Sequence, residues 1–447
     1  MELFVLLNFP STRHLVSSPG IMLHAQQIGL ALHECSALDK FVTTAVYRED
    51  SSIARILSFL KGPYARKLDT EFRRRAAPFV PQSSIRTFAR WEVIRTAASL
   101  ARLSPIFIDR LWDLSSHHFD AHVARRYVPK SAAVHCVEYT ALGSFRAAER
   151  YGVAKILHLP SLDSRQSHQR SLLERREWPE TATVYDAYFD SKFEERYARR
   201  QAEIAAADII IVNSGLTATS HISAGADPSK VKVVPLAAPL PTLSQSLARP
   251  KDAPLRLVWA GNFSVGKGAH ILMKAWRGIK CFPQATLTVV GSIAIPQTLL
   301  ADLDGVEVRG AGARDQLLEE LPTFDALIFP TLSDGFGMAV TEALSAGVPV
   351  ITTKQAGAVD VLTPYRDSIV VPAGDVTALV QALMWCLDNR ERLSSMRPAA
   401  LEAAWRRQWS HFRADMRAAV LGTTQDCAGA RKNGADNAKS YTCASAS

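Results

Sequence analysis

The chain has 447 residues, 47% hydrophobic and 21% charged, with 52 Lys and Arg against 43 Asp and Glu for a formal net charge of +9. That composition excludes a largely disordered chain, and the length exceeds what one compact core usually serves, so two domains are expected. The positive charge favours anionic partners such as nucleotides or phospholipid headgroups, without choosing among them.

Six scattered cysteines (Cys35, Cys136, Cys281, Cys386, Cys427 and Cys443), with no C-x-x-C, argue against a zinc site or a disulfide framework and fit a reducing compartment. The longest apolar runs, Ala326–Pro330 and Val348–Ile351, are strand-sized, far below the roughly 20 residues of a membrane span. The N-terminal stretch Met1–Pro10 has no basic cluster and reads as a first strand rather than a leader. A cytoplasmic protein is expected.

In chain order, strand-like runs at Leu3–Leu7, Phe41–Val46, Val134–Val137, Lys155–Leu157, Ile209–Val212 and Val231–Val234 form a first series. A second comprises Leu255–Ala260, Thr286–Val290, Val306–Arg309, Ala326–Phe329, Val348–Thr352 and Ile369–Val371. Helical patterns fall between them at Met22–Leu32, Ile271–Lys280, Gly337–Ala346 and Val376–Leu387. Such alternation predicts α/β architecture, with parallel sheets and right-handed crossovers. The expected division is an N-terminal domain over 1–238, a Pro- and Ser-rich linker over 239–254, a C-terminal domain over 255–404, a last helix over 405–422 and a disordered tail over 423–447. Within the first domain, residues 51–130 lack clear strands and read as a basic helical insertion around Arg73-Arg74-Arg75, flanked by Phe72 and Phe79. Such a surface suits either plain solvation or contact with anionic lipid.

The segment from Ala326 to Ile351 carries most of the chemistry: strand, turn Asp334-Gly335-Phe336-Gly337, helix, Gly347, next strand. Two glycines let the backbone approach a ligand closely, and the helix starting near Gly337 and Met338 aims free N–H groups and its positive dipole end at an anion such as a diphosphate. Asp334 and Glu342 are acceptor-only carboxylates suited to hydroxyl-rich ligands. Taken singly, Asp334 is equally a helix cap and Glu342 an exposed helical residue.

In combination, Asp-Gly-Phe-Gly, then Glu342, then Ala-x-x-x-Gly-x-Pro-Val-Ile, resembles the E-x7-E signature of family 4 retaining glycosyltransferases (glycosyl transferases group 1), with Asp334 where the family usually has Glu. The resemblance implies a GT-B fold, two Rossmann-like doubly wound domains facing across a cleft. It implies that Glu342 holds the nucleotide ribose, that Asp334 contacts the donor sugar, and that Gly335, Phe336 and Gly337 lie against sugar and phosphates. Leu257 to Gly268 resembles the family's Gly-Arg…Lys-Gly segment, with Gly261 and Lys267 present and Asn262 in place of the arginine. Three further segments match: Glu203…Asp208…Asn213-Ser214, Thr288-Val-Val-Gly291, and Ala404-Trp405…Trp409-Ser-His-Phe412 as a helix returning to the first domain.

Gly20 follows the first strand at the switch-point position where open α/β sheets bind ligands. His158 ends a predicted strand and is expected to face the cleft and act catalytically with Asp334 and Lys267; His135, His24 and Glu138 are lesser candidates. The expected activity is hexosyl transfer, with retention, from a nucleoside diphosphate sugar to a glycan or lipid-linked acceptor in polysaccharide, lipopolysaccharide or glycolipid assembly. No metal ion is expected to take part, because no Asp-x-Asp cluster stands near these motifs; nucleic acid is not an expected partner, and peripheral contact with an anionic membrane is. A catalytically degenerate binding subunit and a GT-B-fold nucleotide-sugar epimerase stay open as alternatives. A dehydrogenase is disfavoured, because no G-x-G-x-x-G follows the first strand.

Overall fold

A computed structural model describes residues 13–47, 75–241, 253–301, 303–310, 312 and 314–422. The expected strand Leu3–Leu7, Arg73 and Arg74, most of the 239–254 linker and the 423–447 tail lie outside the described residues.

The first sheet comprises β1 (His14–Ser17), β2 (Leu38–Thr43), β3 (Ile85–Thr87), β4 (Ala133–Val137), β5 (Ala154–Leu159), β6 (Ile209–Val212) and β7 (Val231–Val233), in the order β3-β2-β1-β4-β5-β6-β7. The second domain adds β8 (Leu255–Ala260), β9 (Phe263–Ser264), β10 (Ala285–Val290), β11 (Ile293–Ala294), β12 (Val306–Arg309), β13 (Ala326–Phe329), β14 (Val350–Thr353) and β15 (Ser368–Val371). Six of these make a sheet in the order β12-β10-β8-β13-β14-β15, and β11 pairs with β9 beside it. Every strand pair is parallel. Strand order reverses between β1 and β4 in one sheet and between β8 and β13 in the other, which opens a crevice at each reversal.

Helices α1 (Leu23–Glu34), α2 (Arg90–Leu100), α3 (Pro105–Arg126), α4 (Leu142–Tyr151), α5 (Ser164–Glu177), α6 (Val184–Ala206) and α7 (Gly215–Ser223) belong to the first half. The second half has α8 (Ala269–Ile279), α9 (Arg314–Glu320), α10 (Met338–Ser345), α11 (Val376–Asp388), α12 (Arg390–Ser395), α13 (Arg397–Arg406) and α14 (Trp409–Leu421).

Strands such as Ile209-Ile-Ile-Val212 are β-branched throughout and covered on both faces, as buried parallel strands require. On one face of the first sheet, Phe119 and Val123 of α3 pack with Phe145 of α4 and Leu157 of β5. On its other face, Ala25, Ile28 and Leu32 of α1 meet Phe412, Met416 and Val420 of α14, and this cluster continues into Val340 and Leu344 of α10 in the second domain. The apolar interior therefore runs unbroken from one sheet to the other.

The described part of residues 51–130 is mostly helical, α2 and α3, and is tied to the first sheet. It supplies the edge strand β3, and α3 is built into the sheet. Asp120 of α3 accepts from the backbone N–H groups of Gly143 (2.7 Å) and Ser144 (2.8 Å), closing the open start of α4, and takes Arg199 of α6 at 2.6 Å. Arg75 of the basic run pairs with Glu92 at 2.9 Å.

The Glu203…Asp208…Asn213-Ser214 segment is scaffold. Glu203, fully buried, accepts from the N–H groups of Tyr139, Ala141 and Leu142, while Asp208 accepts from Lys155 N–H at 2.8 Å. The two chain crossings between domains run side by side: Ala238 N–H donates to Arg407 C=O at 2.9 Å, and the Arg407 guanidinium donates to the carbonyls of Pro235 and Leu236.

Candidate active site where the two sheets meet

The turn leaving β13 is held by backbone bonds on both sides. Asp334 N–H donates to Gln355 C=O (2.9 Å), Gly357 N–H to Asp334 C=O (3.0 Å), and Phe336 N–H to the Asp334 carboxylate (3.2 Å). Gly337, at φ 88°, occupies the left-handed region that glycine tolerates, and α10 begins at the next residue, Met338, with no side chain capping it. That leaves the start of α10 as an anion-attracting end.

The first domain reaches this turn directly. Ser214 and Thr217 hydroxyls donate to Gly335 C=O at 2.7 and 3.0 Å, and Gly215 N–H donates to Asp360 at 2.9 Å. A Cβ on Gly335 would lie 2.2 Å from the carbonyl oxygen of Pro160. The glycine expected to admit a ligand thus admits the backbone that follows β5. Phe336 is 2% exposed and packs in the core, so only its backbone faces the turn.

Lys267 and Asp334, each expected to contact the donor, come together in the structure. The Lys267 ammonium sits 2.6 Å from the Asp334 carboxylate and 3.3 Å from Ser333 C=O. Its loop closes on Gly268, at φ 77°, where a Cβ would strike Pro330 C=O. Gly261, at φ 124°, has open space at its Cβ position. Asn262 lies at the carboxyl ends of β8 and β10 and accepts from the Ser292 hydroxyl at 3.1 Å.

Glu342 is buried inside α10, 2.7 Å from the Nε of Arg314, a half-exposed residue that opens α9. Burial raises the Glu342 pKa and the Arg314 charge works against that rise. Sequence reasoning missed Arg314, which lies far from Glu342 in the chain and in no matched motif.

His158 requires a correction. It was expected at the cleft, but it is 5% exposed on the face of the first sheet covered by α1 and α14, lining a small space with His24, Phe412 and Met416. Its imidazole is 3.0 Å from that of His135, which is 3.0 Å from His14, so three histidines cross β5, β4 and β1 on a diagonal. Burial drives His158 down to about 3 and His14 and His24 to about 4, so all three stay neutral. In the structure His158 packs beneath α1 and α14 rather than facing the cleft. Glu138 lies 3.7 Å from Arg200, its pKa raised by burial. Gly20 accepts from the Ser18 hydroxyl at 2.7 Å in the turn after β1. Among the described residues no group of three or more His, Cys, Asp or Glu is placed to hold a metal ion, and no helix is long and apolar enough to cross a membrane.

Residues 254–389 match the family described as "Glycosyl transferases group 1". Similar proteins include a probable sucrose-phosphate synthase 5 of Oryza sativa, 34% identical over 89 residues (20% of this chain, 9% of that protein). A D-inositol 3-phosphate glycosyltransferase of Xylanimonas cellulosilytica is 24% identical over 239 residues, 48% of this chain and 56% of that protein. The chain thus spans from under a tenth to just over half the length of these two relatives. Among solved structures, Anabaena Alr3699/HepE in complex with UDP-glucose superposes with a TM-score of 0.58 at 15% identity, over 90% of this chain and 98% of that one. Sucrose-phosphate synthase from Thermosynechococcus elongatus gives 0.60 at 16% identity, over 90% and 96%. Identities this low speak for the fold, and both structures have the same pair of facing α/β domains. Residues 254–389 are thus similar to the glycosyl transferases group 1, and the chain has the GT-B fold of these structures.

Proposed function

We propose that the protein transfers a hexosyl unit from a nucleoside diphosphate sugar to an acceptor hydroxyl, with retention at the anomeric carbon. The observation that carries this reading is the Lys267–Asp334 pair, 2.6 Å apart beside the uncapped start of α10, with Glu342 inside the same helix. The diphosphate lies at the helix start and against Lys267, the ribose hydroxyls bond to Glu342, and Asp334 orients the sugar. Gly261, Asn262, Gly335, Gly337 and Met338 line the donor, and the first domain, with its Gly20 turn, presents the acceptor. The bond from the anomeric carbon to the diphosphate oxygen breaks as the acceptor oxygen bonds to that carbon, and the acceptor's proton passes to the departing diphosphate. Catalysis comes mainly from stabilising that leaving group, with no metal ion taking part.

UDP-glucose bound to Alr3699/HepE supports a uridine donor, and the inositol phosphate relative supports a polyol acceptor. Assembly of a cell-envelope glycan or glycolipid at the cytoplasmic membrane face is the setting we propose, with residues 1–238 and 255–404 as the two domains.

Titrating UDP and UDP-glucose by thermal shift, then assaying transfer, tests the proposal, since a ligand that binds only the folded state raises Tm by mass action. A clear shift is expected, lost in Glu342→Ala together with transfer; an unchanged Glu342→Ala enzyme would sink the site. Asn262 favours a second reading, a binding subunit without turnover, because losing a charged phosphate contact removes about 1.5–3 kcal/mol. Slow donor hydrolysis without acceptor would rule that reading out.

A further inference from the structure

A cavity of about 640 Å³ opens between α5 of the first domain and the loops that follow β13, β14 and β15 of the second. Its size is that of a small-ligand site, well beyond a single ion. Arg170 and Lys354 line it, and none of its lining residues is acidic. Gln355 and the paired hydroxyls of Ser167 and Ser333, 3.0 Å apart across the domains, add neutral polar groups, while Leu332 and Val370 give an apolar wall.

The Arg170 guanidinium is fixed rather than free. It pairs at 2.6 Å with buried Glu174, whose other oxygen is 2.9 Å from His270, and it occupies the space that a Cβ on Gly374 would need. Lys354 follows β14, is exposed and lines the same cavity, adding a second cation. A planar guanidinium and an ammonium on one cavity lining suit a phosphate group, and the remaining volume and mixed walls suit a hydroxyl-bearing ring. The cavity also backs onto the reacting centre: Ser333 lines it, its carbonyl accepts from Lys267, and the next residue is Asp334.

We propose that this cavity binds the acceptor, and that the acceptor is a phosphorylated polyol, its phosphate between Arg170 and Lys354 and a hydroxyl directed toward Asp334. The word acceptor rests on the transferase reading above; the anion site does not. A phosphate there could also come from the donor, and the test separates the two. Isothermal titration with glucose 6-phosphate, mannose 6-phosphate, glucose and inorganic phosphate, each with and without saturating UDP, is run on wild type, Lys354→Met and Arg170→Gln. At least one hexose phosphate is expected to bind ten times or more tighter than glucose, to be indifferent to UDP, and to weaken at least tenfold in Lys354→Met at unchanged Tm. Competition with UDP would assign the phosphate to the donor, and equal affinity in Lys354→Met or no binding of any probe would overturn the proposal. Absence of UDP binding to wild type would instead overturn the transferase reading, whatever the hexose phosphates do.

Discussion

Glu342 carries its carboxylate where two influences oppose each other, burial raising the pKa and Arg314 at 2.7 Å lowering it, with burial ahead. Only the ionised form accepts from two ribose hydroxyls, so UDP affinity should fall as pH drops through a midpoint above the ordinary carboxylate range. Arg314→Ala leaves burial unopposed and should move that midpoint to higher pH, weakening UDP binding several-fold at neutral pH. Dissociation constants at pH 5 to 8 for both proteins check this; superimposable curves would uncouple Arg314 from the donor. Lys267→Met should cost about 3 kcal/mol of transition-state stabilisation, roughly a hundredfold in kcat, as for loss of one charge-stabilising donor. Steady-state kinetics decide it, and a changed KM at constant kcat would make Lys267 a ground-state contact.

At this scale the sequence pointed to Lys267 and Asp334 separately; their meeting follows from the topology, since the turns after neighbouring strands β8 and β13 converge at the switch point. It could not lead to Arg314, since nothing in the chain marks which residue of a loop folds back on a helix. His158 was misread for a related reason: a strand-end histidine looks the same whether solvent or a distant helix covers it, and here α14 covers it.

Elements tell a similar story. Buried parallel strands such as β6 and β13 announce themselves as continuous apolar runs. By contrast β1 reads His-Leu-Val-Ser, half polar though wholly buried, and β3 has three residues, so neither stands out against its flanks. The contacts that α7 and the segment after β5 make with the β13 turn yield sharp predictions. Gly335→Ala puts a methyl group 2.2 Å from a backbone oxygen that cannot rotate away, so one domain must shift from the other. A loss of about 1–3 kcal/mol in urea unfolding is expected, along with reduced transfer. Ser214→Ala removes both the cap of α7 and the bond to Gly335 and should cost on the order of 1 kcal/mol.

For the whole molecule, the buried histidines set an acid limit. Unfolded imidazoles take up protons near pH 6.5, whereas folded His14 and His24 wait until about 4 and His158 until about 3. Between those values the unfolded state binds more protons, so stability present above pH 6.5 is lost on acidification, by about 1.4 kcal/mol per pH unit for each imidazole. His158→Gln should flatten the slope of unfolding free energy against pH by one such increment between pH 6 and 4. An unchanged slope would mean that His158 titrates normally.

The return of α14 onto α1 also bears on how the molecule is made. The first sheet's core includes Phe412, Met416 and Val420, residues the ribosome adds after the entire second domain. Domains usually fold in order as they emerge, yet here the earlier one stays unfinished, its α1 face bare, until α14 has been made. A nascent chain arrested before Trp409 should therefore bind hydrophobic-patch chaperones and be cut readily in its first domain, whereas one released after Leu421 should resist. In this protein a helix made after the whole second domain, α14, is the one that lets the first domain close.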